Sequence, residues 1–82
     1  MESELRVTEL CLPWLSCPMP VLKAKKALAK MAGGELLRVV STDPHSLPDL
    51  AEFCRQTGHA LVSQSSDEKT GEYVSLLRRR AD

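Results

Sequence analysis

The feature that most constrains this fold is an amphipathic helix that is opened by prolines and closed by glycines. Pro18 and Pro20 suit the first turn of a helix that begins at Cys17, because the N–H that proline lacks would have no intrahelical acceptor there. Apolar residues then recur at helical spacing, at Val21, Leu22, Ala24, Ala27, Leu28 and Met31. Gly33 and Gly34 predict the helix end, since glycine takes the left-handed cap conformation without a Cβ clash.

Short strands are predicted on both sides of this helix. Residues 36–41, LLRVVS, are nearly all apolar, which is typical of a central strand covered by helices. Residues 5–12 predict an earlier strand, with Leu5, Val7 and Cys11 at alternating positions.

A second helix is predicted from Ser46 to Gly58. Ser46 and Asp49 have the spacing of a capping box, with aspartate in place of the usual glutamate, and Asp43 is assigned to the turn before them. The apolar stripe of this helix lies at Leu47, Leu50, Ala51 and Cys54. Cys54 is therefore predicted to pack in the core, where a free cysteine behaves as a small hydrophobe.

The last part of the chain predicts a hairpin. Residues 60–65 and 72–79 form the strands and the polar stretch 67–71 forms the turn. The order β-α-β-α-β-β predicts an α/β two-layer sandwich, in which a mixed four-stranded sheet carries both helices on one face. Residues 1–82 are expected to form a single domain.

Composition restricts the class of protein. The chain has 82 residues, 43% of them hydrophobic, with 11 basic and 11 acidic residues. It is therefore predicted to be globular, and its zero net charge argues against direct binding of nucleic acid. No apolar run reaches the ~18 residues of a membrane span, and the acidic N-terminus does not resemble a signal peptide, so the cytoplasm is the predicted compartment.

The cysteine pattern argues against a disulfide framework and against a metal site. The chain has 3 cysteines, at positions 11, 17 and 54, and no C-x-x-C pair. An odd number of cysteines in a cytoplasmic protein does not indicate structural disulfides. The spacing does not match that of zinc ligands, and no G-x-x-x-x-G-K loop is present, so no metal or cofactor is expected.

Cys17 lies where a helix begins, and this position favours an ionised thiol. The first N–H groups of a helix have no intrahelical acceptor, and the peptide dipoles place positive charge at that end. Both effects lower the pKa of a cysteine and so raise the fraction present as thiolate, which is the nucleophile. Lys23, Lys25 and Lys26 add positive potential within about two turns. The alternative, in which Cys17 is a buried spacer, stays open at this stage.

The segment C-P-M-P-V-L-K-A-K-K-A-L, followed by G-G-E and S-T-D-P, resembles the TusA-like (SirA-like) sulfur-carrier family. C-P-x-P is the signature of that family, and the likeness continues through D-P…D-L…F-C…G-H to residue 59. The resemblance implies a fold similar to the C-terminal domain of translation initiation factor 3. It also implies that Cys17, within the motif of Pro18 and Pro20, carries sulfur as a persulfide.

The resemblance further implies protein partners at both ends of a relay. Sulfane sulfur would come from a cysteine desulfurase or a rhodanese-like donor and pass to an acceptor protein. In the family such relays serve tRNA thiolation, molybdenum-cofactor maturation and sulfur oxidation. Whether such a protein is called an enzyme is a matter of definition, because the turnover belongs to the relay.

The chain departs from the family pattern L-D-x-x-G-x-x-C-P-x-P at two positions. Cys11 stands in place of the aspartate and Trp14 in place of the glycine. A glycine there often has a backbone conformation closed to bulky residues, so Trp14 must take an ordinary conformation or reshape the loop. These departures bear on the identity of the partner more than on the thiol chemistry.

Two surface features are candidate docking sites for a partner. Lys23, Lys26 and Lys30 share one helix face and Lys25 flanks them, which fits either a solvated face or a surface for an acidic protein. Trp14 is either an exposed anchor for a partner or a lid folded onto the core. The arginines at 78–80 are interpreted as a solvated strand end or tail.

Three other side chains have a functional interpretation beside a structural one. Cys11 is either a resolving thiol for Cys17 or, as favoured here, a partly buried strand residue. His45 and His59 flank the second helix, and either could form a Cys–His pair only within hydrogen-bond reach of Cys17. Ordinary surface roles are favoured for both histidines.

Three functions therefore remain to be separated. The first is a sulfur carrier that uses a persulfide on Cys17. The second is a non-catalytic interaction or regulatory module in which Cys17 is incidental. The third is a thiol redox protein that uses Cys17 with Cys11.

Overall fold

The computed structural model describes residues 6–15 and 18–81. The elements follow one another as β1 (Val7–Leu12), α1 (Met19–Ala29), β2 (Leu36–Ser41), α2 (Ser46–Thr57), β3 (Ala60–Asp67) and β4 (Glu72–Arg78). They form a 4-stranded sheet in the order β1-β2-β4-β3, in which β1 and β2 are parallel and β4 is antiparallel to both of its neighbours. The predicted element order and mixed sheet are confirmed. Neither described helix is long and apolar enough to cross a membrane.

The core lies between the helices and one face of the sheet. Its largest buried side chains include one leucine from each of α1, β2, α2 and β4, namely Leu28, Leu37, Leu50 and Leu77. Leu37 and Leu77 are cross-strand partners on the central strands, so both helices cover the same face, as predicted. Truncation of any one of these leucines to alanine is expected to cost about 2–5 kcal/mol. That is a large share of the roughly 5–15 kcal/mol that stabilises a domain.

The alternating apolar positions Val7 and Cys11 do not form the buried face of β1. Thr8, Leu10 and Leu12 point towards the helices, whereas Val7 and Cys11 are exposed on the opposite face. Leu5 lies outside the described residues. The sequence VTELCL has apolar residues at both phases, and a shift of one position exchanges the two faces of a strand.

The first helix is shorter than predicted. It begins at Met19, with Pro18 as its N-cap, and it ends at Ala29 with Lys30 as a right-handed C-cap. The predicted glycine cap is wrong, because Gly34, with a φ of +88°, belongs instead to the turn before β2. Leu22, predicted to widen the apolar stripe, is 51% exposed.

The two ends of α2 differ in how well they match the prediction. Gly58 ends the helix in the left-handed conformation and donates to the carbonyl of Cys54 at 2.9 Å, as predicted. The capping box is wrong, because Ser46 lies inside the helix and His45 is the N-cap. Asp43 accepts the backbone N–H of His45 at 3.0 Å, so an Asx turn orders the chain just before the helix.

The hairpin of β3 and β4 is confirmed, although β3 extends to Asp67, two residues beyond its predicted end. A register shift between Leu61 and Ser63 interrupts the ladder near its start. β3 therefore forms an irregular, mostly polar edge of the sheet, and β1 forms the regular one.

Candidate functional site

Two loops meet at the end of the sheet where the parallel strands β1 and β2 finish. Leu12 and Ser41 are register partners at this end. The loop after β1 leads to the C-P-x-P motif, and the loop after β2 contains Thr42. The backbone N–H of Trp14 donates to Thr42 Oγ1 at 3.0 Å and joins the two loops. Ser16 and Cys17 lie outside the described residues, so the site is characterised by what surrounds them.

The start of α1, directly after Cys17, has no capping side chain and no acidic residue in its first turn. The carbonyl of Pro18 accepts the N–H of Leu22 at 3.2 Å, which begins the intrahelical ladder. The N–H groups in the first turn of a helix have no intrahelical acceptors, and Pro18 and Pro20 have no N–H. The N–H groups of Met19 and Val21 are therefore the ones left without intrahelical acceptors. This end of α1 therefore offers two donors and the positive end of the peptide dipoles to an anion.

The two motif prolines have different environments. The side chain of Pro20 is fully buried, whereas Pro18 is exposed. Pro20 thus fixes the first turn of α1 to the core, and Pro18 rigidly sets the direction of the chain as it enters the helix.

Trp14 adopts the conformation that a glycine would take. Its φ is 70°, and no other non-glycine residue among those described has a positive φ. A bulky residue in this region costs on the order of 1–3 kcal/mol. Its side chain is 87% exposed, so the alternative in which Trp14 folds onto the core as a lid is wrong. The chain holds an exposed indole in a strained loop beside the motif.

The lysines of α1 lie in two different surroundings. Lys23, Lys26 and Lys30 line a groove of about 390 Å³ between α1 and β1. Lys25 lines a separate cavity, together with Arg79 and Arg80. All four lysines are exposed, and none forms an ion pair with another residue of the described ranges. The structure therefore separates Lys25 from the other three.

An acidic surface lies on the other side of the start of α1. Pro18 and Val21 share a shallow cavity of about 290 Å³ with Asp49 and Glu52 of α2. The guanidinium of Arg55, which donates hydrogen bonds to Glu52, holds the pKa of that carboxyl below its usual value. The helix start is thus flanked by a basic groove towards β1 and by carboxylates towards α2.

The two cysteines within the described residues have opposite environments. Cys11 is exposed on the helix-free face of the sheet, so the expectation of a partly buried residue is wrong. Its pairing with Cys17 as a resolving thiol stays a prediction. Cys54 is buried among the core residues, as predicted, and burial raises the pKa of its thiol to about 11.

The histidines also differ. His59 Nδ1 accepts the backbone N–H of Arg80 at 3.0 Å, and its ring lies 5.8 Å from that of Phe53, so its role is structural. His45 is exposed, with Nδ1 3.0 Å from Asp43 Oδ1. It lies on the loop after β2, at the end of the sheet that the motif loop shares.

Arg79 and Arg80 have a role that the sequence analysis missed, since they were interpreted as a solvated end. Arg79 Nε donates to the carbonyl of Leu28 at 3.0 Å, near the end of α1. Arg80 donates to the carbonyl of Thr57, at the end of α2. Cations are favoured at helix C-termini, so the run of arginines could have indicated contacts with helix ends. The carbonyl groups that these arginines bind lie far away in sequence, so the sequence did not identify them.

The chain is similar to known proteins over most of its length. It matches the model of the family described as sulfurtransferase TusA over residues 14–79. A relative from Neisseria meningitidis serogroup A is 50% identical over 66 residues, which cover 80% of this chain and 86% of that protein. The sulfur carrier protein TusA of Allochromatium vinosum is 41% identical over 71 residues, which cover 87% of this chain and 91% of that protein.

A solved structure has a similar fold. The crystal structure of a SirA-like protein from Desulfitobacterium hafniense superposes with a TM-score of 0.78, covering 90% of this chain and 97% of the other. Its sequence identity is 21%, so this likeness concerns the fold alone.

Proposed function

This chain belongs to the sulfurtransferase TusA family, whose curated relatives include sulfur carriers, and we propose that it carries sulfane sulfur as a persulfide on Cys17. The observation that supports this most is the start of α1, which follows Cys17 in the chain without a capping side chain or an acidic residue. Such a start stabilises a thiolate, which is the reactive form of cysteine.

The proposed chemistry is an exchange between two cysteines. The thiolate of Cys17 attacks the outer sulfur of a donor cysteine persulfide, and a new S–S bond forms to Cys17. The S–S bond within the donor breaks, and the donor cysteine leaves as a thiolate. The proton of the transferred SH group stays with its sulfur. No net oxidation occurs, and a second exchange of the same kind passes the sulfur to an acceptor thiolate.

The proposed partners are proteins. A cysteine desulfurase or a rhodanese-like protein would load Cys17, and the acceptor would serve tRNA thiolation, cofactor maturation or sulfur oxidation. The whole chain would act as one unit in the cytoplasm, without direct contact to nucleic acid, which suits its zero net charge.

Docking is proposed at Trp14 and at the three lysines of the groove. An exposed indole loses water on contact and is a common hot spot of interfaces. The lysines attract acidic surfaces and so accelerate encounter. Both features adjoin the motif, so a partner that covers them would bring its own cysteine close to Cys17.

The proposal is tested by incubating the protein with a cysteine desulfurase and cysteine, followed by peptide mass spectrometry. One added sulfur atom is expected on the peptide that contains Cys17. It should be absent from the Cys17→Ser variant and retained in Cys11→Ser and Cys54→Ala. Sulfur found on Cys11 in place of Cys17, or no adduct at all, would reject the carrier proposal.

The exposure of Cys11 supports a second candidate, a thiol redox function. That function requires an intramolecular disulfide between Cys11 and Cys17, formed when a peroxide or disulfide oxidant removes two electrons. Non-reducing mass spectrometry after mild oxidation would detect the linked peptides. If the disulfide forms and desulfurase leaves no persulfide, the redox function replaces the carrier. If Cys17→Ser keeps full activity in cells, only an interaction module remains.

A further inference from the structure

The strand β1 has a free edge. It is the end strand of the order β1-β2-β4-β3, and within residues 6–15 and 18–81 it pairs only with β2, beginning with the N–H of Leu36 that donates to the carbonyl of Arg6 at 2.9 Å. Successive residues of a strand direct their peptide groups to opposite edges. Val7, Glu9 and Cys11 therefore direct their N–H and C=O groups away from β2. These groups form a regular template for one more strand.

The other edge of the sheet is a poorer template. β3 has a register shift between Leu61 and Ser63, and irregularities of this kind prevent regular pairing with an added strand. The ladder of β1 with β2 runs without a shift from Val7 to Leu12.

A groove with a basic wall lies beside the free edge of β1. Its floor is apolar, formed by Leu10, Ala27 and Met31, which pack against the core. Lys23, Lys26 and Lys30 form its helix wall, and the groove measures about 390 Å³. Alternate side chains of a strand laid along β1 would point towards this helix layer. Such side chains would lie beside the three lysines.

We propose that the free edge of β1 receives an extended acidic segment of a sulfur-relay partner as a fifth strand, with its carboxylates facing Lys23, Lys26 and Lys30. Main-chain hydrogen bonds to the edge would provide affinity, and the lysines would select acidic sequences. This inference rests on the proposed function, because the partner is taken to be the protein that gives or receives the sulfur.

Charge favours an acidic segment over a second copy of this chain as the strand that pairs with the edge of β1. None of the three lysines has a carboxylate partner among the described residues, and the one acid that lines the groove, Glu35, lies 3.9 Å from Arg6. An antiparallel β1–β1 pair would bring two such lysine rows together, which repulsion disfavours. An acidic segment neutralises the row instead.

The position of this edge suits a relay. β1 runs directly into the loop that contains Trp14 and leads to Cys17, and the lysine row starts at Lys23, one turn after Met19. A segment held along β1 would therefore tether its protein at the side of the motif. Affinity would come from the segment, so the partner would not need to bind tightly at the motif itself.

The test uses the full chain and a capped peptide of alternating glutamate and valine. Titration calorimetry measures the affinity, and amide hydrogen exchange by NMR locates the contact. We expect protection of the Val7, Glu9 and Cys11 amides. Lys26→Glu should weaken binding by about fivefold, whereas Lys25→Glu, on the same helix but outside the groove, should leave it unchanged. A version of the peptide that is N-methylated at alternate residues should not bind, because it cannot pair.

Four results would overturn the inference. If Lys25→Glu and Lys26→Glu weakened peptide binding equally, the peptide would be attracted by the overall charge of the helix and not by the groove. Equal binding of the N-methylated peptide, or protection on β3, would exclude strand addition to β1. Protection of the β1 amides in the free protein, together with a dimeric mass in sedimentation, would assign the edge to a second copy.

A small-molecule control separates this inference from the proposed function. Glutathione persulfide loads a reactive cysteine without any docking segment, so the wild-type protein should accept sulfur on Cys17 from it in the absence of the peptide. If the wild-type protein is not loaded, the carrier function fails. If loading is normal but the peptide does not bind as expected, only the strand-addition inference fails.

Discussion

The backbone N–H of Trp14 donates to Thr42 Oγ1 at 3.0 Å, and this bond joins the loop that leads to the C-P-x-P motif to the loop that precedes α2. Trp14 makes the bond while its φ is 70°, a conformation that suits glycine. The chain therefore places a large exposed side chain on a backbone conformation that suits glycine. We interpret the strain as the cost of presenting an indole three residues before Cys17 in the chain.

Replacement of Trp14 by glycine is expected to leave the free energy of unfolding unchanged or to raise it by up to about 1 kcal/mol, because the strain is relieved and little burial is lost. Transfer of sulfur from a protein donor should slow, since the indole is the proposed anchor. Chemical denaturation and a transfer assay measure the two effects. A destabilised variant with unchanged transfer would contradict this account of Trp14.

Replacement of Arg79 by alanine should lower the free energy of unfolding by about 1–3 kcal/mol. Its Nε donates to the carbonyl of Leu28, and a charged donor at a helix C-terminus is stabilising. The exposed neighbour Arg78 provides the control, since Arg78→Ala should change stability by less than about 0.5 kcal/mol. Equal effects of the two substitutions would show that the arginine run acts only through its total charge.

Ser46→Ala distinguishes the structure from the sequence-based prediction. A capping box predicts a loss of about 1 kcal/mol. In the structure the Ser46 hydroxyl is buried and has no hydrogen-bond partner among the described residues, so its removal should be neutral or stabilising. Thermal unfolding measures the difference, and a clear loss of stability would restore the capping role.

Cys54 should make the protein less stable at high pH. Burial raises the pKa of its thiol from 9.0 to about 11, so the folded state favours the protonated form. This contribution is fully present below the unfolded pKa and is lost as pH rises through about 11. The free energy of unfolding should fall more steeply with pH in wild type than in Cys54→Ala over that window. Parallel pH profiles for the two proteins would contradict the assignment.

Much of the fold could be predicted because local signals agreed with each other. The helical spacing in both helices, the apolar run of β2 and the left-handed Gly58 all depend on short-range chemistry. The facing of β1 could not be predicted, since VTELCL has apolar residues at both phases. The contact of Arg79 with the carbonyl of Leu28, near the end of α1, could not be predicted because the two residues are 51 positions apart in sequence.

The candidate site likewise combines features that are local in sequence with features that depend on tertiary packing. The motif and its cysteine are local in sequence and could be named from it. The separation of Lys25 from Lys26 depends on which side of α1 faces β1, which is decided by packing. The expectation that Trp14 takes an ordinary conformation is wrong, because its φ is 70°. Its hydrogen bond to Thr42, 28 residues away in sequence, could not be predicted from local chemistry.

The central claim is that the start of α1 ionises Cys17 and so prepares it to accept sulfur. The most direct measurement is the rate of alkylation of Cys17 as a function of pH in the Cys11→Ser variant, followed by mass spectrometry. We expect a midpoint clearly below the ~8.5 of a free cysteine, because the helix start stabilises the thiolate. A midpoint at or above that of free cysteine would contradict the account.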